Sequence, residues 1–336
     1  MGRKKTLVLE TTAPDLRKAG EIIRRGGLVV FPTETVYGLG ADAGNAAACR
    51  RIFSAKGRPG DNPLIVHLPE VFRIPLAAAE ISPEAALLIE AFLPGPLTLI
   101  LPKTAGISPS VTAGLPDVGI RVPSDPAARD FLRFAGVPVA APSANLSGRP
   151  SPTTFEMAWE AMEGRADAVI RGGDCTVGLE STILRLSGGR VEILRPGKIG
   201  EGEILRVMKK KPSFPEVSGD EPPPAPGMKY RHYSPRAEVL LYLREEEIPA
   251  AELRGKKIGV LALGPGAPGG LPADVPVARA ASIDEYARRL YAEFFVFDKL
   301  GCERIYAVFP PPEGIGDAVR NRLLKAAGGR FLRPPA

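Results

Sequence analysis

Histidine is nearly absent from this chain of 336 residues, occurring only at His67 and His232, and cysteine occurs only at Cys49, Cys175 and Cys302. A Ser-His-Asp hydrolase would have to use one of the two imidazoles, and neither lies in a strand-turn-helix setting that exposes a nucleophile. The cysteines are odd in number and far apart. This excludes a disulfide framework and the paired spacing of a structural zinc site, and it fits a reducing cytoplasm. A Walker phosphate loop is also lacking: Gly197-Lys198-Ile199 comes nearest, and no Ser or Thr follows the lysine to meet magnesium. No apolar run approaches a membrane span. The basic start, Met1 to Lys5, meets Glu10 and Asp15 before any apolar stretch, so no signal peptide is expected.

Charge of one sign does not dominate either. Lys plus Arg number 44 against 38 for Asp plus Glu, a net +6 spread without a polybasic tract, which reads as a solubilising surface. An isoelectric point near 9.2 keeps weak RNA binding as a rival reading. What the chain does contain is an ordinary globular balance, 44% hydrophobic and 24% charged, over a length that favours two domains. Residues 211–226, KPSFPEVSGDEPPPAP, carry repeated prolines and no apolar periodicity, the mark of a linker. The GMKYRHYSP stretch that follows is too rich in aromatics and donors for an inert tether and is expected to dock. The expected division is therefore a first domain at 1–210, a linker at 211–236 and a C-terminal domain at 237–336.

Short apolar runs at 28–31, 64–68, 97–101, 118–122 and 137–140 read as strands. Helical spacing covers 46–55, with Asn45 as N-cap, and 83–93. After the linker, strands are expected at 237–243, 257–263 and 304–309 and helices at 283–300 and 316–327, an alternation that suggests a small three-layer α/β unit with a largely parallel sheet. GPGAPG at 264–269 formally matches a dinucleotide-binding fingerprint. Its prolines, with Pro272, stop a helix from opening behind it, so a surface loop is the preferred reading.

The chemistry is carried by strand ends bearing hydroxyls, amides and cations. PTETVYG at 32–38 offers a hydroxyl-rich turn that suits a small polar ligand or is simply a capped loop. KGRPGDNP at 56–63 displays Lys56 and Arg58 on an irregular segment suited to an oligophosphate, against the plainer reading of solvated loop charges. Arg121, inside a strand, needs an anion to offset its burial. A ligand carboxylate is the preferred partner and a structural ion pair the rival. APSANLSG at 141–148 adds Ser143 and Asn145, and GLEST and LRPG add Ser181 and Arg195.

Taken in order, PTETVYGLG, KGRPGDNPLIVHL, PGPLTLIL, VGIRVP, APSANLSG, GLESTI and LRPG closely resemble the YrdC-like family of threonylcarbamoyl-adenylate synthases. PAPGMKYRHYSP and GIGDAVRNRLLKAA resemble that family's long two-domain form. The resemblance implies a YrdC-like twisted mixed sheet around a large concave site, followed by a small Rossmann-like domain. It implies a nucleotidyltransferase that condenses L-threonine, bicarbonate or CO2 and ATP to threonylcarbamoyl-AMP and pyrophosphate. A downstream transferase machinery would then modify tRNA next to the anticodon.

By the same resemblance the nucleotide site comprises Lys56, Arg58, Asn62, Ser143, Asn145, Ser151 and Arg195, with His232 and Tyr233 closing over ATP and Asp117 contacting it through its backbone. Lys56, Arg58, Ser143 and Asn145 are the expected catalytic set. Thr35, His67, Arg121, Ala141 and Ser181 would hold threonine. No metal ligand is expected from the protein, and Mg2+ would bridge the phosphates.

Overall fold

The computed structural model describes residues 5–215, 232–249, 253, 256–264, 271–272 and 274–333. The polypeptide builds two sheets. The larger has ten strands in the order β1-β8-β2-β3-β7-β4-β6-β5-β9-β10. These are β1 (Leu7–Glu10), β2 (Val29–Phe31), β3 (Gly38–Asp42), β4 (Ile65–His67), β5 (Leu97–Pro102), β6 (Asp117–Arg121), β7 (Val139–Ala141), β8 (Ala168–Arg171), β9 (Thr182–Ser187) and β10 (Arg190–Arg195). Parallel pairs such as β4 with β6 occur beside antiparallel ones such as β4 with β7, so the sheet is mixed. Its central strands are buried on both faces, and this is why they read as unbroken apolar runs in the sequence.

Two helices matter most for the site. Helix α2 (Ala46–Lys56) starts on Asn45, whose side chain accepts from the amides of Ala47 and Ala48. It ends on Gly57 in the left-handed region, which leaves Lys56 at the negative end of the helix dipole. Helix α7 (Glu201–Met208) follows β10 and packs with α3 (Pro83–Phe92).

The second sheet is all parallel, in the order β11-β14-β12-β13: β11 (Glu238–Tyr242), β14 (Arg304–Val308), β12 (Ile258–Leu263) and β13 (Val277–Ala280). Both long helices here, α8 (Ile283–Lys299) and α9 (Gly316–Ala327), pack on one face of it against Val239, Leu241, Leu261, Ile305 and Ala307. The other face buries Tyr242, Ile258, Val260 and Tyr306 under Ile248, Leu253 and Val275. The helical layer is shared: Val36, Met157 and Leu179 of the first sheet's unit belong to the same apolar cluster as Tyr286, Leu290 and Phe294 of α8. Residues 265–270 lie outside the described residues, and so do 216–231, most of the expected linker.

Candidate functional site

An open cleft is lined by residues at or just after the ends of β2, β4, β6 and β7 and by the segment that leads into β9. Strand register explains the convergence. His67 and Arg121 are direct partners at the ends of parallel β4 and β6, and Ala141 on antiparallel β7 pairs with Ile65. The loop after β7 is drawn across by a bridge between Gly38 and Ser143. Gly197 is needed for the far wall: a Cβ there would sit 2.3 Å from the amide nitrogen of Thr182, so only glycine lets the turn after Arg195 lie against Ser181.

Of the residues expected in the site, Thr35, Lys56, Arg58, His67, Arg121, Ala141, Ser143, Asn145, Ser181, Arg195, His232 and Tyr233 all line this one cleft. Three do not. Asn62 is fully buried behind Arg58, which donates to the Asn62 carbonyl at 3.1 Å; the Asn62 amide itself makes no hydrogen bond among the described residues. Ser151 is buried and donates to Glu180 at 2.5 Å. Asp117 stands at the opposite end of β6 from Arg121, about 13 Å along the strand at 3.3 Å per residue, because a five-residue strand carries only one of its ends to the site.

The cations come pre-engaged. Arg121 sits between Glu34, in an ion pair of 2.7 Å, and the Thr35 hydroxyl, to which it donates at 2.7 Å. The structural ion pair, the rival reading of this buried arginine, is thus present, and a ligand carboxylate would have to share the guanidinium with it. Burial works against the Glu34 charge, but Arg121 overrides it and holds the carboxyl below its usual range. Lys56 donates to the carbonyls of Ser143 and Asn145, both at 2.5 Å, and to Asn145 Oδ1 at 3.3 Å. An ammonium has three donors, so Lys56 organises the Ser143-Asn145 loop rather than offering an idle charge. Desolvation first and Arg58 second press its pKa well below the lysine value. Arg195 donates to the Ser181 carbonyl at 3.1 Å and hydroxyl at 3.2 Å.

His67 makes one contact to its own strand, Nδ1 to the Ile65 carbonyl at 3.1 Å, so Nδ1 carries the proton and Nε2 is left as an acceptor. Burial, helped by Arg121, pulls its pKa down to about 3. Tyr233 is held with φ of 66°, uncommon for a bulky residue, and stacks on Tyr291 of α8 at 5.6 Å, while His232 leans on it. The expected docking residues Tyr230 and Arg231 lie outside the described residues.

Sequence reasoning missed Glu180, which lines the cleft beside Ser181 and accepts from the buried Ser151 hydroxyl, and the two residues that hold it, Tyr291 and Arg322. Helical spacing carried a signal for Arg322: it falls in register with Val319, Ala318 and Ala326 on the buried stripe of α9.

A family model described as telomere recombination, covering the Sua5, YciO and YrdC proteins, matches residues 21–197, and one described as the threonylcarbamoyl-AMP synthase C-terminal domain matches 199–328. The chain belongs to the Sua5/YrdC family. It is 41% identical to the threonylcarbamoyl-AMP synthase of Pyrococcus abyssi, with 95% of each chain covered, and 41% identical to that of Bacillus subtilis, with 97% and 96% covered. The crystal structure of P. abyssi Sua5 complexed with L-threonine superposes with a TM-score of 0.89 at 39% identity, covering 97% of this chain and 99% of that one. The fold is thus that of a two-unit Sua5 protein, and its relatives carry the names of enzymes.

Proposed function

We propose that this chain is an L-threonylcarbamoyladenylate synthase, condensing L-threonine, bicarbonate or CO2 and ATP to threonylcarbamoyl-AMP and pyrophosphate. The observation that carries this reading is the convergence of Lys56, Arg58, Arg121, Ser143 and Arg195, from four separate segments, on one cleft. A site with hydroxyls and a neutral imidazole at one side and a loop of cations at the other suits an amino acid beside a polyphosphate.

Threonine sits at Thr35, His67, Arg121, Ala141 and Ser181, where the His67 Nε2 lone pair accepts a proton-bearing group of the amino acid. Its carboxylate shares Arg121 with Glu34. ATP lies along Arg58, Ser143, Asn145 and Arg195, with the loop shaped by Lys56. Asn62, whose buried amide forfeits about 1–3 kcal/mol while unpaired, gains a partner if the nucleotide reaches it. The carbamate oxygen attacks the α-phosphorus in line and pyrophosphate leaves. The chain's part is to position and to offset charge on the phosphoryl oxygens, so no covalent enzyme intermediate is required. His232 and Tyr233 cover the cleft and slow loss of a water-sensitive intermediate.

Among the described residues no cluster of three or more His, Cys, Asp or Glu is placed to hold a metal, and Glu34 and Glu180 are each committed to an arginine. A divalent cation would travel on the phosphates.

The product suits a transferase that moves the threonylcarbamoyl group to tRNA next to the anticodon. Among the described residues no helix is long and apolar enough to cross a membrane.

The test is pyrophosphate release with threonine, bicarbonate and ATP, omitting each in turn. Full dependence on all three is expected, with threonylcarbamoyl-AMP identified by mass. Release that ignores threonine would sink the reading.

A further inference from the structure

One buried ion pair at the cleft has no part in the chemistry above. Glu180 accepts from the Ser151 hydroxyl at 2.5 Å, from the Tyr291 hydroxyl at 3.2 Å and from Arg322 Nε at 2.9 Å. Arg322 is wholly buried; its Nη1 donates to the Pro196 carbonyl at 2.8 Å and its Nη2 to the Glu180 carbonyl at 3.4 Å. Two of the three groups on this carboxylate thus come from α8 and α9, packed on the second sheet. Docking two units does not call for charge, since replacing a buried ion pair by apolar side chains is often neutral or stabilising. The location is more telling: Glu180 precedes Ser181, which holds Arg195, and it opens on the same cleft as Lys56 and Arg58. A bare carboxylate there would repel phosphates and draw Arg195 away from Ser181.

We propose that Arg322 is a positioning residue for the nucleotide: reaching in from the C-terminal unit, it neutralises and anchors Glu180, and so keeps Arg195 on Ser181 and the cleft attractive to a polyphosphate. The inference rests on reading the cleft as an ATP site. It gives the C-terminal unit a chemical contribution, through α9, that is separate from any covering by the segment before β11. Tyr291 supports the same carboxylate with a neutral donor and takes the smaller share.

The experiment measures the dissociation constant of ATP by calorimetry, with melting temperatures alongside, for the full-length protein, Arg322→Gln, and the pair Glu180→Gln with Arg322→Gln. Arg322→Gln is expected to weaken ATP at least tenfold. The pair, which removes both charges at nearly constant volume, is expected to return ATP affinity to within threefold of the parent even if it still melts earlier. A purely structural role would not give that recovery. ATP affinity unchanged in Arg322→Gln, or a pair as weak as the single variant, overturns the inference. Should Arg322→Gln fail to fold, the pair against the parent decides by the same limits, threefold supporting and tenfold refuting. A parent protein that binds no ATP refutes the functional reading itself; a parent that binds ATP beside an unaffected variant refutes only the role of Arg322.

Discussion

Both histidines of the chain line the cleft, and burial holds both neutral. Desolvation and Arg121 put His67 at about 3; desolvation, Arg58 and Lys325 put His232 at about 4. In the unfolded chain each would take up a proton near pH 6.5. Between that pH and the folded values the unfolded state binds more protons, so stability falls as pH drops from 6.5 towards 4, by about 1.4 kcal/mol per pH unit for each imidazole. Glu180 extends the loss. Its burial is outweighed by Arg322 and Arg195, which with hydrogen bonds from Ser151 and Arg322 bring it to about 2, so its contribution is present above pH 4.5 and fades below. Urea unfolding at pH 7 and pH 5 should show the drop, and imidazole resonances, only two in number, should not titrate above pH 5. A midpoint near 6.5 for His67 would mean that the site is wetter than this geometry allows. At this scale the residue most readable from its own surroundings was Arg121, a cation among apolar neighbours in a strand. Least readable were Glu180, Tyr291 and Arg322, because their meeting spans 111 and 142 residues and no local pattern encodes a partner that distant.

Strands with unbroken apolar runs were legible, whereas β3, β8 and β9 were not, although each is largely buried. The runs at β2, β4, β5, β6 and β7 are apolar because both faces are covered, and α2 carries its own cap and stop signal in Asn45 and Gly57. Strand β3, Gly38-Leu39-Gly40-Ala41-Asp42, is not among the strands expected from the sequence, yet glycine is what fits there, since a Cβ on Gly40 would meet Val139 at 2.8 Å. A second glycine governs how elements meet across the two sheets. Gly178 has φ of +80°, and a Cβ on it would lie 2.3 Å from the Cα of Arg288 in α8, a backbone atom that has no flexible end to yield. Gly178→Ala therefore combines overpacking with a left-handed penalty, and we expect it to cost about 3 kcal/mol of stability. Calorimetric melting should show the loss together with weaker ATP binding, because α8 also carries Tyr291. An alanine variant with parental melting would mean that the contact between Gly178 and α8 is loose in solution.

For the whole molecule the question is what the C-terminal half adds. Three apolar clusters of the larger sheet take all their buried residues from 9–208, so a chain ending at 215 retains them intact. Such a truncation is expected to keep its far-ultraviolet circular dichroism and a cooperative melt while threonine-dependent pyrophosphate release falls about 100-fold or more. Two causes would contribute: loss of His232 and Tyr233 over the cleft, and a Glu180 carboxylate deprived of Arg322 and Tyr291. Adding Glu180→Gln to the truncated chain separates them. Removing that charge should recover ATP affinity, since the repulsion is gone, but not the yield of intact threonylcarbamoyl-AMP, since the cleft still stands open to water. Recovery of both would leave covering with no role, recovery of neither would leave charge with none, and full activity in the truncation without any added change would remove the C-terminal half from the reaction altogether.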